Sequence, residues 1–228
     1  MEQIMQYHYI EGQTPLDEEE KLGLIPSLIT RADLDKWEQE NILEARKWLM
    51  NQNILSKYDI FRESFLLNLH KHMFKYVWKW AGNLRKSNKN IGVEYYEIPL
   101  HLRQLLDDTK FWLENNTYTS TELAIIFHHR LVKIHLFAKG NGRHARLIAD
   151  SIIAKYNGQS LSWGSNSDLT KPDEIRKRYI TSLREADRGV YEPRAFARKT
   201  TDEFVCVIST FGLLGFAQYL IISQFNYK

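Results

Sequence analysis

Apolar residues recur at helical spacing along most of this chain, in stretches separated by clear breaks. Thr30-Arg31-Ala32-Asp33 has the form of a capping box, and Leu34, Trp37, Ile42, Ala45, Trp48 and Leu49 follow it, which predicts an amphipathic helix over about 31–50. A second periodic stretch runs from Phe61 through Leu66, Leu69, Met73 and Val77 to Trp80, with Gly82 as its natural C-terminal stop. Between Arg85 and Pro99 the pattern fails. Ser87 to Val93 followed by Tyr95-Tyr96 predicts two short strands around a turn, a β-hairpin or extended flap over about 85–99. Helical spacing returns at Leu102, Leu105, Leu106 and Leu113, and again from Leu123 to Ile134. A helix opening near Asn141 carries Ala145, Ile148, Ala149 and Ile152 inward and stops at Asn157-Gly158; another starts at Pro172 and ends by Gly189. The fold class is therefore all-α, a helical bundle with one small β-hairpin flap.

The ends of the chain differ from its middle. Residues 1–24, with Gly12-Gln13-Thr14-Pro15 and the acidic run from Asp17 to Glu20, read as an N-terminal arm, and residues 25–200 as the main domain. Residues 201–228 read as an apolar tail. From Phe204 to Ile222 the tail is long enough to cross a bilayer, but Ser209, Thr210, Gly212, Gly215 and Gln218 dilute it and no positive flank lies beyond Lys199. A packed terminal helix is the better reading, and a membrane partner is not expected. At 43% hydrophobic content, 228 residues bury a substantial core. The net charge of +3 is dispersed along the chain rather than gathered in a stripe, which argues against direct nucleic-acid binding. A single cysteine, Cys206, excludes an intramolecular disulfide framework and a cysteine zinc site and fits a cytoplasmic location, as does an N-terminus without an apolar signal core.

The chemistry gathers at residues 135–146, His-Leu-Phe-Ala-Lys-Gly-Asn-Gly-Arg-His-Ala-Arg. Gly140-Asn141-Gly142 joins the end of one helix to the start of the next, so its backbone amides face an anion at a helix N-terminus. Arg143 and Arg146, three apart in the first turns of that helix, project near the same amides and suit a di- or triphosphate. His135 just ahead has the chemistry of a general base, since a neutral imidazole accepts a hydroxyl proton near pH 7. Phe137 reads as the apolar anchor of the loop. Taken alone, His135 would be a hydrogen-bonded helix-end histidine; its setting between these features favours the base. His128, His129, His135 and His144 lie close in sequence but do not share a helical face, so no metal site is expected from them.

This loop resembles the active-site signature of the Fic family, His-Pro-Phe-x-(Asp/Glu)-Gly-Asn-Gly-Arg-x-x-Arg, in His135, Phe137, Gly140, Asn141, Gly142, Arg143 and Arg146. Trp80-Ala81-Gly82-x-x-Arg85 with Asn90-Ile91-Gly92 is similar to the stretch leading to that family's target-docking flap. The resemblance spans about residues 10–198. In detail it is to the bacterial subgroup called mobile mystery protein B, through residues 12–17, Trp37-Glu38-Gln39, residues 104–108 and residues 127–131. It implies a Fic fold and transfer of a nucleoside monophosphate, usually AMP from ATP, onto a protein hydroxyl. His135 would take the proton, Asn141 and the loop amides would hold the α-phosphate, and Arg143 and Arg146 would bind the outer phosphates; Lys139, which departs from the family's pattern, is a candidate to neutralise the phosphates directly. Asn90, Ile91 and Gly92 would dock the unknown protein substrate. A small helix-turn-helix protein encoded nearby, in a toxin–antitoxin-like pair, is the partner the subgroup implies.

Two residues depart from the signature. Leu136 replaces proline and removes no chemical group. Lys139 stands where the family carries the acidic ligand of Mg²⁺, so a metal, if used, is left without its usual protein ligand, and none is predicted. A catalytically impaired nucleotide- or phosphate-binding module, or a purely regulatory member of the pair, is the alternative reading. Many Fic proteins also carry an inhibitory glutamate that pairs with the loop's second arginine. Glu38 and Glu40 are the candidates here. Glu38 falls on the inward face of its helix and Glu40 shares a face with Lys36, Glu44 and Lys47, so Glu38 is preferred, with Arg146 as its expected partner.

Overall fold

Short polar boxes and turn residues start and stop the helices where the periodicity changes. The computed structural model describes residues 15–27, 31–51 and 54–158, with isolated positions between 161 and 187. The chain divides into two compact units, Met1–Gly158 and Gln159–Lys228, and every element below belongs to the first. The helices are α1 (Glu18–Lys21), α2 (Arg31–Asn51), α3 (Ile54–Lys57), α4 (Glu63–Phe74), α5 (Ile98–Glu114), α6 (Ser120–Ile134) and α7 (Asn141–Tyr156). Among the described residues, capping boxes open two of these helices. Asp17 and Glu20 exchange hydrogen bonds at α1, and Thr119 and Glu122 do so at α6, satisfying amides that have no carbonyl one turn back. Pro99 sits in the first turn of α5, where its missing N–H costs nothing. Asn157, left-handed at φ 53°, ends α7 where the sequence predicts the stop.

The bundle packs α6 against α7 and α5, and α4 against α2 and α7. Leu66, Leu69 and Met73 of α4, Phe127 of α6, and Ile148 and Ile152 of α7 are wholly buried between them. The inward stripe of α2 is Leu34, Glu38, Asn41, Ala45 and Leu49, a cleaner helical repeat than its apolar residues alone suggest, whereas Trp37 stays exposed. Two of those five residues are polar. Asn41 satisfies itself by accepting from the Tyr76 amide at 3.1 Å and donating to the Trp37 carbonyl at 3.3 Å, which pins α2 to the turn after α4. Glu38 is taken up below.

Two expectations need correction. The helix read to Gly82 stops at Phe74. Residues 77–79 instead run beside residues 23–25, the Val77 carbonyl accepting from the Ile25 amide and the Lys79 amide donating to the Gly23 carbonyl, both at 2.8 Å. A helix cannot continue through carbonyls committed to another segment. The flap is also not a β-hairpin: no strand forms among the described residues, and Leu24–Trp78 is an isolated bridge. Its backbone bonds point away from itself, from the Arg85 amide to the Leu136 carbonyl at 2.9 Å and from the Val93 amide to the Ile134 carbonyl at 3.4 Å. Side chains close it. Arg85 donates to the Ser87 carbonyl at 2.8 Å and to the Val93 carbonyl, the Tyr95 amide donates to Asn88 Oδ1 at 2.9 Å, and a 3₁₀ turn at Tyr95–Glu97 leads into α5.

No helix among the described residues is long and apolar enough to cross a membrane. The apolar run at 204–222 lies outside the described residues. So do Thr30 and, apart from isolated helical positions, the helix read from Pro172 to Gly189.

Candidate functional site

The site is built on the sharp reversal between α6 and α7. His135 ends α6 in a left-handed conformation at φ 60° and ψ 67°, with its amide still bonded to the Leu131 carbonyl at 3.2 Å. A non-glycine residue there costs on the order of 1 kcal/mol and persists only where its surroundings enforce it. The buried Arg85 does the enforcing. Its Nε donates to the His135 carbonyl at 2.7 Å while its other donors hold the flap carbonyls of Ser87 and Val93. One guanidinium thus fastens the flap to the histidine.

From His135 the loop dives into the core. Phe137 is wholly buried and stacks on the His70 ring with centroids 3.6 Å apart. His70 Nδ1 accepts from the Gly82 amide at 3.0 Å, which leaves Nε2 protonated to donate to the Lys139 carbonyl, also at 3.0 Å. The Asn141 side chain is spent on the loop itself: Oδ1 accepts from the Phe137 amide at 2.9 Å and Nδ2 donates to the Phe137 carbonyl at 2.7 Å. It shapes the cradle from within rather than reaching outward. Gly140 then takes φ 84°, and any Cβ placed there would lie 2.5 Å from Phe74 Cζ. With these constraints met, α7 begins at Asn141, bracketed by Lys139 before and Arg143 after.

Among the described residues a single carboxylate faces that bracket. Glu38, 1% exposed, accepts from Trp78 Nε1 at 2.8 Å and from Arg143 at 2.7 Å, and pairs with Lys139 Nζ at 3.0 Å. Burial alone pushes its pKa up, but Arg143, Lys139 and the hydrogen bonds from Trp78 and Arg143 outweigh it and hold the carboxyl down at about 2. Glu38 therefore faces inward as its spacing implies, while Glu40 is exposed. The partner differs from the one expected. It is Arg143, at the mouth of the loop, and not Arg146, whose charge bears on Arg46 and His128 one turn further along. The reason is axial: Arg146 lies a turn deeper in α7 than the level at which Glu38 meets it.

His135 is 5% exposed, and its pKa falls to about 4, through burial first and the Arg85 charge second, against a backbone hydrogen bond at Val132. It is neutral at pH 7. His144 is pushed to about 4 as well, by burial, but its Nε2 lies 2.9 Å from the Leu66 carbonyl inside the core. The flap covers His135 closely. Gly92 adopts φ +102°, and a Cβ there would lie 2.5 Å from His135 Cβ. Beyond it Asn90 and Ile91 are exposed, with Tyr95 and Tyr96 beside them. Lys89 anchors the flap to the arm through Asp17 at 3.3 Å and through Glu20, and Ser87 Oγ donates to Asp17 at 2.7 Å.

Of the residues singled out from sequence, His135, Lys139, Gly140, Gly142, Arg143, Glu38 and the Asn90–Gly92 flap come together around this reversal; Arg146 stands apart from Glu38. His70, Trp78 and the Asp17–Glu20–Lys89 anchor were missed. Their partners are 35 or more residues away or are backbone groups, and spacing carries no record of either.

Residues 60–153 match the model of the Fic/DOC family. They form a Fic/DOC family domain. Protein adenylyltransferase fic-1 of Caenorhabditis elegans is 28% identical over 156 residues, 66% of this chain and 29% of that protein. The chain spans less than a third of that relative's length. A structure of Fic-1 residues 134–508 from C. elegans overlays with a TM-score of 0.54 at 25% identity, covering 68% of this chain and 44% of that one. BepC from Bartonella tribocorum, an effector with bound AMPPNP, shares the fold at a TM-score of 0.54 and 17% identity, covering 78% and 95%. The all-α Fic fold is thus shown, with the reversal at 135–146 inside the matched domain.

Two predictions follow from this geometry. Gly92→Ala forces a Cβ into His135 at a left-handed position, so it is expected to lower stability by about 1 kcal/mol or more and to shift the His135 ring resonances; an unchanged melt with unchanged resonances would contradict the close flap. Because the folded Glu38 carboxyl titrates below the ordinary glutamate value of 4.5, its stabilisation is complete above that pH and lost as pH falls toward 2. The stability gap between the parent and Glu38→Gln, read by urea unfolding, is expected to shrink over that window, with titration of His135 and His144 common to both proteins. A gap that stays constant would show that Glu38 is not ionised in the folded state.

Proposed function

We propose that this Fic/DOC domain is a protein adenylyltransferase, moving AMP from ATP to a hydroxyl side chain of a target protein. One juxtaposition carries the reading: a neutral, buried His135 at a helix end, next to a helix N-terminus bracketed by Lys139 and Arg143. The name of the C. elegans relative supports it. The target hydroxyl, docked along the flap at Asn90, Ile91 and Gly92, gives its proton to the His135 imidazole. Its oxygen bonds to the α-phosphorus as the bond to the bridging oxygen breaks, and pyrophosphate leaves. The α7 amides at Asn141 and Gly142 stabilise charge on the α-phosphate, with the loop held in shape by the Asn141 side chain. Lys139 and Arg143 neutralise the outer phosphates, and Arg146 reaches the same end of the nucleotide from the next turn.

Glu38 is the brake in this reading. Its carboxylate takes the donors of Lys139 and Arg143 that the phosphates need, so the parent protein is held off. The resemblance at residues 12–17, 37–39, 104–108 and 127–131 supports the mobile mystery protein B subgroup, and with it a small helix-turn-helix protein encoded nearby. A second reading, a nucleotide-binding module without turnover, draws on the same closed contact: Glu38 sealed by three donors is a resting state that few ligands displace.

Incubation with labelled ATP and candidate targets separates the two. Glu38→Gly is expected to raise nucleotide binding and labelling over the parent, and no change in either would remove Glu38 as a brake. His135→Ala on that background is expected to cut labelling by about 10²–10⁴-fold with nucleotide binding retained; labelling that persists at full rate would assign the base elsewhere. The kcat/KM profile reports the free enzyme's base, and the folded His135 pKa lies below the ordinary 6.5 at about 4. The rate is therefore expected to stay level from pH 8 down through 6 and to fall only as pH approaches 4. A limb centred near 6.5 would contradict the buried setting of His135.

A further inference from the structure

We propose that this site takes its nucleotide as the metal-free polyphosphate anion, the Lys139 ammonium supplying the charge that a divalent cation supplies elsewhere. The inference rests on the donor-binding reading above and concerns the form in which the donor binds. Mg²⁺ is a hard cation held by oxygen, commonly one or two carboxylates plus phosphate and water. The residues at this reversal do not fit it. Position 139 is an ammonium, which donates and cannot ligate. The carboxylate against it, Glu38, has Oε1 engaged by Trp78 and Lys139 and Oε2 by Arg143. Among the described residues no group of three or more His, Cys, Asp or Glu is placed to hold a metal ion.

Lys139 is also built into place rather than trailing at the surface. Its carbonyl accepts from His70 Nε2 at 3.0 Å, its Nζ lies 5.6 Å from the centre of the Trp78 ring, and its side chain is only 14% exposed. A divalent cation brought to this spot would meet a fixed positive charge before it met a ligand. A polyphosphate meets the opposite. With Glu38 withdrawn, Lys139 and Arg143 flank the α7 N-terminus as two cations around an anion-binding backbone, and the Glu38 carboxylate in the resting protein marks where a phosphate oxygen sits. Lys139 therefore does for the outer phosphates what an acidic residue with its metal would do, with the sign carried by the protein.

The test is ATP binding by calorimetry to the full chain carrying Glu38→Gly, once in excess EDTA and once in Mg²⁺. The expected affinities agree within about threefold. Adding Lys139→Asp restores a carboxylate and is expected to make binding about tenfold or more tighter with Mg²⁺ than in EDTA. Adding Lys139→Met, which keeps the stem and removes the charge, is expected to weaken binding about tenfold in both media, and it serves if the aspartate variant does not fold. Binding by the Glu38→Gly protein that appears only with Mg²⁺ would overturn the inference and leave the donor reading standing. Undiminished binding by Lys139→Met in EDTA would overturn it equally. No ATP binding in either medium, from protein that melts as the parent does, would overturn the donor reading and this inference with it.

Discussion

The buried carboxylate of Glu38 is the point on which this structure turns. A charged group with 1% exposure costs several kcal/mol unless its surroundings repay it, and here they come from three separate stretches: Trp78 in the turn after α4, Lys139 in the loop, Arg143 in the first turn of α7. Those contacts fix α2 against the reversal. They also fix where the two cations of the cradle point. Because the repayment holds only while all three donors are in reach, the carboxylate reports on the geometry of the whole site.

Beneath that contact lies a set of neutral hydrogen bonds that keep the loop in one shape. The buried histidines divide by role here. His70 and His144 are locked by backbone partners into single structural positions, His70 between the Gly82 amide and the Lys139 carbonyl, His144 at the Leu66 carbonyl. His135 is nearly as buried, with a ring hydrogen bond at the Val132 backbone, and Arg85 grips its main-chain carbonyl as well. The Arg85 grip also ties the flap to the histidine, since the same guanidinium holds Ser87 and Val93.

Much of this was legible from the chain alone, and the rest was illegible for definite reasons. Features that depend on neighbours in sequence came through: Asn157 closes α7, and Glu38 falls on the inward face of α2 as its spacing implies. Elements whose ends depend on distant backbone did not. Val77 and Lys79 spend their groups on the arm, so α4 stops short of Gly82. The run from Ser87 to Val93 followed by Tyr95-Tyr96 reads as strands around a turn, but Arg85 and Asn88 supply side-chain partners where a hairpin would use main chain. The identity of the arginine facing Glu38 is of the second kind as well. Spacing puts Arg143 and Arg146 near one face of α7, and only the height at which α2 crosses decides between them.

Lys139 changes the character of the contact it joins. A carboxylate paired to one arginine could be displaced by a phosphate that exchanged one ion pair for another; this one is paired to both cations that flank the α7 N-terminus. Under the proposed function, brake and cradle therefore draw on the same two charges. Removing either cation weakens both, so the closed state cannot be loosened by altering the loop without also lowering its affinity for the anion that would open it. Only changes on the α2 side separate the two. The equilibrium between closed and liganded forms then follows the difference between what a polyphosphate and what Glu38 gain from Lys139 and Arg143. A ligand with several phosphate oxygens has the larger claim on two cations and a helix N-terminus than one carboxylate does, and a ligand with a single phosphate has little advantage. Under the proposed function, discrimination by phosphate number thus follows from the ion-pair geometry itself, with no further residue needed to provide it.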